Sequence, residues 1–168
     1  MFRTERLWAE PLTEAHFGDL LRFHADPQHQ AFLGGLRDEV WTRAYLDRNL
    51  EHWRQHGFGL YMLRLEQTGP VIGRGLLRYL PMNGVNEVEI GYSFVPELWG
   101  QGLGTEIARG CLDQGWSRGF TSMVAVTLPH NVASRHVLAK AGLRYERDVV
   151  HADLPHVLYR TTADGVVS

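Results

Sequence analysis

A glycine-rich turn at residues 99–105 carries the clearest chemical signal in this 168-residue sequence. Its residues are Trp99, Gly100, Gln101, Gly102, Leu103, Gly104 and Thr105. Glycines at alternate positions let backbone N–H groups converge without Cβ obstruction, and the turn opens an amphipathic helix whose dipole favours anions at its N-terminus. The spacing predicts a phosphate-binding turn, with a simple tight turn into the helix as the alternative.

The two better-known phosphate-binding loops do not fit this turn. A P-loop ends in Gly-Lys-Ser/Thr, which is absent here, and the dinucleotide fingerprint requires a third glycine where Thr105 or Ile107 stands. The turn by itself therefore predicts a bound phosphate but names no cofactor.

The strand that precedes the turn, residues 86–95, carries two carboxylates on one face. Alternation places Val88, Ile90, Tyr92 and Phe94 on one side, and Glu87, Glu89, Gly91, Ser93 and Val95 on the other. Glu89 is thus a carboxylate that points from a central strand beside a glycine. A pair of solvated edge charges is the alternative interpretation.

Periodicity predicts the elements that must position these residues. The expected strands are 4–10, 59–66, 71–80, 86–95, 121–128, 143–149 and 155–162, with turns at 67–70 and 81–84. The expected helices follow the N-caps Thr13 and Asp38, the latter helix ending at Gly57, and span 102–118 and 131–141. The order β-α-α-β-β-β-α-β-α-β-β predicts an α/β fold, with a mixed, mostly antiparallel sheet flanked by about four helices.

Composition limits the class of protein. The 44% hydrophobic and 21% charged fractions are globular values, no apolar run approaches the roughly 20 residues of a membrane span, and residues 1–168 are expected to form a single domain. The net charge of -2, with interspersed signs, predicts no nucleic-acid or membrane partner. The N-terminus lacks the pattern of a signal peptide, so we expect a cytoplasmic protein.

Cysteine and histidine usage predicts no metal site. The single cysteine, Cys111, excludes an internal disulfide and a cysteine-based zinc cluster, and its place on an apolar helical stripe predicts a buried structural thiol. His52 and His56 share a helix face but have no evident third ligand.

Three segments in a fixed order resemble a known family. They are Glu89-Ile90-Gly91-Tyr92, then the turn 99–105 with Glu106, then Leu128-Pro129-His130-Asn131-Val132-Ala133-Ser134-Arg135 with Gly142-Leu143 closing the helix. Together they resemble the GNAT acetyltransferases, specifically the RimJ/RimL branch that acetylates alanine N-termini of ribosomal proteins. The resemblance covers nearly the whole chain, and residues 86–145 are its specific part.

The resemblance implies an acetyl-CoA site in a V-shaped gap between the strands 86–95 and 121–128. The pantetheine arm would pair with the main chain of Phe94, Val95 and Pro96, of which Pro96 offers only its carbonyl. The pyrophosphate would lie on the N–H groups of residues 101–105. Trp99 stands where the wider superfamily has Gln or Arg, so binding would rely on backbone amides, the helix dipole, Gln101 and Thr105, with no cation in the turn itself.

The resemblance also implies roles for side chains in amide formation. Such a reaction needs a path for the amine's surplus proton and a proton for the leaving thiolate. Glu89 would be the general base, directly or through water. Asn131 would hold the pantetheine arm as well as capping its helix, and Ser134 would protonate or hydrogen-bond the sulfur, because the helix contains no tyrosine. Arg135 would contact the 3′-phosphate, as would Lys140, unless both are solvated.

The acceptor is expected to be a primary amine, and we expect a protein or peptide N-terminus. An antibiotic or polyamine amine and a non-catalytic CoA-binding module are the alternatives. By analogy the acceptor enters between the loop 26–38 and the final strands. The side chains available there are Phe32, Leu33, Trp41, Tyr145, His151 and Tyr159. Homodimers are frequent in the resembled family, and the sequence leaves the oligomeric state open.

Overall fold

The computed structural model describes residues 1–166, which form one eight-stranded sheet in the order β1-β2-β3-β4-β5-β6-β8-β7. The strands are β1 Phe2–Arg3, β2 Trp8–Pro11, β3 Leu60–Arg64, β4 Gly73–Met82, β5 Val85–Phe94, β6 Ser122–Thr127, β7 Arg144–His151 and β8 Leu154–Thr162. The α-helices are α1 Phe17–Ala25, α2 Pro27–Gln30, α3 Glu39–His56, α4 Leu103–Ser117 and α5 Val132–Lys140.

The predicted fold class is confirmed. Every neighbouring pair of strands is antiparallel except β5 and β6, which run parallel. The described chain has five α-helices where about four were expected, because the turn-rich stretch after α1 contains the single-turn helix α2. Asp26 caps α2 by accepting the N–H groups of Gln28 and His29, and Pro27 opens it.

The prediction of one strand over residues 4–10 is wrong. Two short strands, β1 and β2, are separated by a turn in which Thr4 N–H donates to the Leu7 carbonyl over 3.0 Å. Thr4 Oγ1 in return accepts the Leu7 N–H over 3.1 Å. A threonine side chain that bonds to the local backbone competes with the sheet ladder, which is why alternation alone misplaced this strand.

The hairpin between β4 and β5 is tighter than the predicted turn at 81–84. β4 continues through Met82, and only Asn83 and Gly84 form the turn, with φ values of 50° and 78°. Two consecutive positive φ values are the requirement of a type I′ turn, which Asn-Gly favours. The longer hairpin extends the pairing of β4 with β5 over ten residues.

Helices cover both faces of the sheet, and each face has its own core. On one face Ile107 and Cys111 of α4 pack with Ile90 of β5. On the other face Leu20 of α1 and Leu46 of α3 pack in a second core cluster. Cys111 is fully buried, as predicted, and burial raises the pKa of its thiol to about 12, so it stays protonated at neutral pH.

The described residues include no helix that is both long enough and apolar enough to cross a membrane.

Candidate active site

The strands β5 and β6 separate at one point, and Glu89 lies there. The two strands pair at Glu89 and Val124, while β5 continues to Phe94 along β4. Val95 N–H donates to the Ile72 carbonyl over 2.9 Å, so the pair next to it, Gly73 and Phe94, is a non-hydrogen-bonded pair of the β4–β5 ladder. The N–H and carbonyl of Phe94 therefore point away from β4 and into the gap beside β6.

At the end of β5, the main-chain carbonyls that could bind a pantetheine arm already accept one hydrogen bond each. The Phe94 carbonyl accepts the indole N–H of Trp99 over 2.9 Å. The carbonyls of Val95 and Pro96 each accept one N–H of the following short 3-10 turn, from Leu98 and Trp99. The Phe94 N–H and the second lone pair of each carbonyl remain for a ligand.

The glycine-rich turn ends in a helix that has no side-chain cap. Gly102 is the N-cap of α4 with a φ of 82°, and Gly100 has a φ of 75°. The first backbone bond of the helix runs from Glu106 N–H to the Gly102 carbonyl, so the N–H groups of residues 103–105 lack intrahelical partners. An uncapped helix start of this kind fits the predicted pyrophosphate site.

Gly104 is required for close packing, whereas Gly100 and Gly102 adopt positive φ values. A Cβ atom there would lie 3.3 Å from the Tyr92 ring and 3.5 Å from Val137. Its missing side chain therefore lets the first turn of α4 pack closely against β5 and α5.

Arg6 supplies a cation next to the turn, a feature that the sequence analysis missed. Its Nη1 donates to the Gln101 carbonyl over 2.9 Å, and its Nε pairs with Glu106 at 2.7 Å. Arg6 precedes Gln101 by 95 residues, so no local pattern marks it. Trp99, the residue that replaces the usual Gln or Arg, is half exposed and ties the turn to β5 through its indole.

A pair of hydroxyl groups lies across the gap on the α4 face. The Asn131 side chain accepts the Ser134 N–H over 3.1 Å, so the predicted N-cap is present. Tyr92 Oη lies 3.1 Å from Ser134 Oγ. Strand alternation places Tyr92 on this face, but no sequence pattern indicates a role for it. Burial raises the pKa of Tyr92 to about 12, against the opposing effect of its hydrogen bond with Ser134, so its hydroxyl remains a proton donor at neutral pH.

Glu89 lies on the opposite face of β5, paired and buried. It is 5% exposed, and Arg78 Nε donates to its Oε2 over 2.8 Å. Glu87 is paired as well, with Arg160 at 2.7 Å. The alternative in which these glutamates are solvated edge charges is therefore wrong. Burial lowers the pKa of His151, and the charge of Glu89 opposes that shift.

Arg135 and two predicted acceptor-side tyrosines lie together near α5. Arg135 Nε donates to Tyr159 Oη and its Nη1 to the Pro129 carbonyl, each over 3.1 Å. The Tyr145 ring packs edge-on against Tyr159 at 6.1 Å. Tyr159 is part of the core beside α5 and Tyr145 is half exposed, so neither is placed as a contact for the acceptor. A phosphate role for Arg135 stays a prediction.

The loop after α2 contacts the turn before α5. The Phe32 ring lies 5.6 Å from the ring of His130, in the turn before α5. Phe32 and Leu33 are 39% and 40% exposed. Phe32 therefore lies beside the turn between β6 and α5.

A buried polar network lines the α1–α3 face next to β5. Ser93 Oγ accepts from Arg74 Nε over 3.1 Å and lies 2.9 Å from His29 Nε2. Arg74 Nη1 donates to His24 Nε2 over 3.1 Å, so His24 carries its proton on Nδ1, 2.8 Å from Thr42 Oγ1. Burial, then the charge of Arg74, lowers the pKa of His24 to about 3 and of His29 to about 4. Both imidazoles are neutral near pH 7.

Comparison with known proteins identifies the family. The acetyltransferase (GNAT) domain model matches residues 6–144. YkkB of Bacillus subtilis, an uncharacterized protein, is 31% identical over 135 residues, which are 80% of this chain and 78% of that protein. An acetyltransferase of Agrobacterium tumefaciens has a TM-score of 0.84 and 27% identity, covering 95% of this chain and 92% of its own.

More distant structures share the fold. Mycobacterium smegmatis RimJ, solved with CoA-disulfide, has a TM-score of 0.77 and 18% identity, covering 96% of this chain and 84% of its own. The aminoglycoside acetyltransferase AAC(6')-Ib, solved with coenzyme A, has a TM-score of 0.79 and 17% identity, covering 95% and 96%. The chain belongs to the GNAT family and is an acetyl-CoA-dependent N-acetyltransferase.

Proposed function

We propose that this single-domain enzyme, residues 1–168, acetylates the α-amino group of a peptide or protein N-terminus by direct attack in a ternary complex. One observation carries the proposal. The point where β5 and β6 separate holds the carboxylate of Glu89 on one face, and the hydroxyl pair of Tyr92 and Ser134 on the other. A base and an acid on opposite sides of one gap are what amide formation from a thioester requires.

Bound acetyl-CoA supplies the acetyl thioester and leaves as the thiol. The N–H groups of residues 101–105 would hold its pyrophosphate, and the Phe94 N–H and the free amide protons of Asn131 would hold its pantetheine arm. Arg6 fixes the shape of the turn through Gln101 and Glu106.

Glu89 takes up the proton that the amine loses as its nitrogen bonds to the acetyl carbon. Because the carboxylate is buried against Arg78, we assign this transfer to an intervening water rather than to direct contact. The Tyr92 and Ser134 hydroxyls donate a proton toward the sulfur as the carbon–sulfur bond breaks. Glu89 then releases its proton to solvent, and a proton from solvent restores the hydroxyl pair, so the net result of each turnover is one proton lost by the amine and one gained by the thiol.

Apolar side chains at the rim support a peptide acceptor. Phe32, Leu33 and Leu36 are 39%, 40% and 59% exposed on the loop that borders the gap. Such side chains would contact the residues that follow a peptide's amino group. They offer little to a polyhydroxylated cation such as an aminoglycoside.

The decisive experiment measures CoA release with peptides and small amines, for wild type and the variant Glu89→Gln. The amide keeps the size of the carboxylate but cannot accept the proton, so kcat should fall by about 10²- to 10⁴-fold. Glu87→Gln is the matched control, since Glu87 lies on the same strand and face and is also paired with an arginine.

Acetyl-CoA affinity and thermal melting of each variant separate catalysis from folding. We expect Glu89→Gln to bind acetyl-CoA like wild type while losing turnover, and Glu87→Gln to retain turnover. A wild type that binds acetyl-CoA yet releases no more CoA than Glu89→Gln with any acceptor would instead identify a CoA-binding module.

A further inference from the structure

Three arginines surround a stacked aromatic pair on the α1–α3 face. The rings of Trp41 and Tyr45 on α3 stack with centroids 5.3 Å apart and an interplanar angle of 17°. Arg37 and Arg48 lie over the Trp41 ring at 4.7 and 5.8 Å, and Arg74 lies over the Tyr45 ring at 5.2 Å. We call these five residues the arginine–aromatic cluster. The ring faces hold the guanidinium groups in place without neutralising their charge.

The three arginines of the cluster form no ion pair with any described residue. Arg74 bonds only to the neutral partners Ser93 and His24 through its side chain. The Nε of Arg37 is buried and has no hydrogen-bond partner in the described structure. By contrast Arg43, on the same helix as the aromatic pair, is paired with both Glu14 and Asp47. The positive charge of these three arginines is therefore not neutralised by a carboxylate, whereas the charge of Arg43 is.

The cluster adjoins the proposed reaction site. Tyr45 and Arg48 line a cavity of about 260 Å³ together with Arg78, whose Nε is 2.8 Å from Glu89. Arg74 opposes Ser93 on β5, four residues from the pairing of Arg78 with Glu89 and on the same face. Four residues of strand span about 13 Å, so a group bound at the cluster lies within a short molecule's length of Glu89.

Neighbouring groups respond to this positive charge. Burial is the largest cause that lowers the pKa of His24, and the charges of Arg74, His29 and Arg37 lower it further. Burial is also the largest cause that lowers the pKa of His29. The charge of Arg74 lowers it further, and the charge of Asp26 opposes the shift. No carboxylate lines the cavity. A polycationic amine would meet unfavourable electrostatics here, whereas a carboxylate would be attracted.

We propose that the arginine–aromatic cluster binds a carboxylate of the acceptor, so that the substrate is an amine that also carries a carboxylate. This inference rests on the proposed function. Planar guanidinium groups bind carboxylates through paired hydrogen bonds, and the orphaned Arg37 Nε is a donor still without an acceptor. The carboxylate is either the α-carboxylate of a free amino acid or an acidic side chain close to a peptide's N-terminus.

The test compares acceptors that differ only in charge, with CoA release as the measurement. One pair is a peptide amide with aspartate at its second position and the same peptide with asparagine. A second pair is free alanine and alaninamide, and spermidine is the polycation. Faster turnover of the aspartate peptide than of its asparagine partner assigns the carboxylate to a peptide side chain. Faster turnover of alanine than of alaninamide assigns it to a free amino acid, a result that would also overturn the peptide acceptor of the proposed function.

The variants Arg74→Gln, Arg37→Gln and Arg48→Gln remove one charge each, and Arg43→Gln is the matched control with a paired guanidinium. We expect the carboxylate-bearing acceptor to have a KM at least about tenfold higher in each cluster variant, with its kcat little changed. The KM of the neutral partner and all constants of Arg43→Gln should stay near wild type. Arg48 is exposed, so its variant should fold even if a buried position does not tolerate the change.

Equal KM values for charged and neutral acceptors in wild type, or spermidine as the best acceptor, would overturn the inference while leaving the proposed function intact. Calorimetric binding of the aspartate peptide to the CoA-bound protein gives a readout without turnover. Binding that is lost in Arg74→Gln but unaccompanied by turnover would support the cluster and refute the proposed function. Absence of binding and of any charge preference would refute the cluster.

Discussion

At the scale of single residues, the proposed site combines the hydroxyls of Tyr92 and Ser134 with the carboxylate of Glu89. Tyr92 is held as a neutral phenol by burial, with its pKa raised to about 12, and its hydroxyl meets that of Ser134. Ser134 alone would be a weak acid. Helix α5 contains no tyrosine, and Tyr92 of β5 instead places a phenolic hydroxyl beside Ser134.

The variant Tyr92→Phe tests this arrangement. Loss of the hydroxyl should lower kcat by about 10²-fold, toward the lower end of general acid catalysis, because the leaving thiolate loses its phenolic donor. Ser134→Ala should produce a loss of similar size, and the double variant should lose little more, since the two hydroxyls act as one unit. Steady-state kinetics with saturating acetyl-CoA measures all three.

The control for Tyr92 is its pH dependence. With its pKa raised to about 12, Tyr92 should remain protonated throughout the range from pH 7 to 10. The alkaline limb of the kcat profile below pH 10 should therefore be the same in wild type and Tyr92→Phe. A limb that disappears in the variant would contradict the role of a buried neutral phenol.

At the scale of elements, the end of β5 and the start of α4 form one rigid unit. The indole of Trp99 donates to the Phe94 carbonyl, and Gly102 begins α4 in a left-handed conformation with a φ of 82°. Any side chain at Gly102 is strained by that φ, so Gly102→Val would disturb folding as well as block a phosphate. A change that leaves the backbone of the turn unstrained is therefore needed to test it.

Trp99→Phe removes the indole donor but keeps an aromatic ring. We expect the affinity for CoA to fall about fivefold, corresponding to roughly 1 kcal/mol for one hydrogen bond that holds the turn against β5. Titration calorimetry with CoA measures the change. Trp116→Phe, at the other end of α4, is the matched control, and an affinity for CoA that is the same in both variants would contradict a role for Trp99 in shaping the turn.

At the scale of the whole molecule, the sequence predicted what is local and missed what is distant. The glycine turn, α4 and the alternation of β5 follow from neighbouring residues, and the structure has them at or near the predicted bounds. Arg6 reaches Glu106 across 100 residues, and Arg74 reaches His24 across 50, so no periodicity reveals either contact. Charge partners of this kind decide what the site can bind, and only the packed sheet brings them together.

The buried histidines should make the whole fold sensitive to acid. His24 and His29 are neutral in the folded protein, with pKa values lowered to about 3 and about 4, whereas an unfolded histidine titrates near 6.5. Their contribution to stability is complete above pH 6.5 and is lost as the pH falls toward 4, because the unfolded chain gains protons that the folded chain does not. Each such histidine changes the free energy of unfolding by at most about 1.4 kcal/mol per pH unit in that window.

Urea unfolding between pH 7 and pH 5 measures this effect. His24→Gln retains hydrogen-bonding groups for Thr42 and Arg74 but removes one titrating site, so its stability should fall less steeply with decreasing pH than that of wild type. Keeping above pH 5 excludes carboxylates such as Glu10 and Glu106, whose lowered pKa values confine their effect to more acid conditions. His56→Gln, at an exposed position on α3, should reproduce the wild-type slope. Parallel slopes for wild type and His24→Gln would mean that His24 is protonated in the folded protein, which the donor Arg74 facing its Nε2 makes unfavourable.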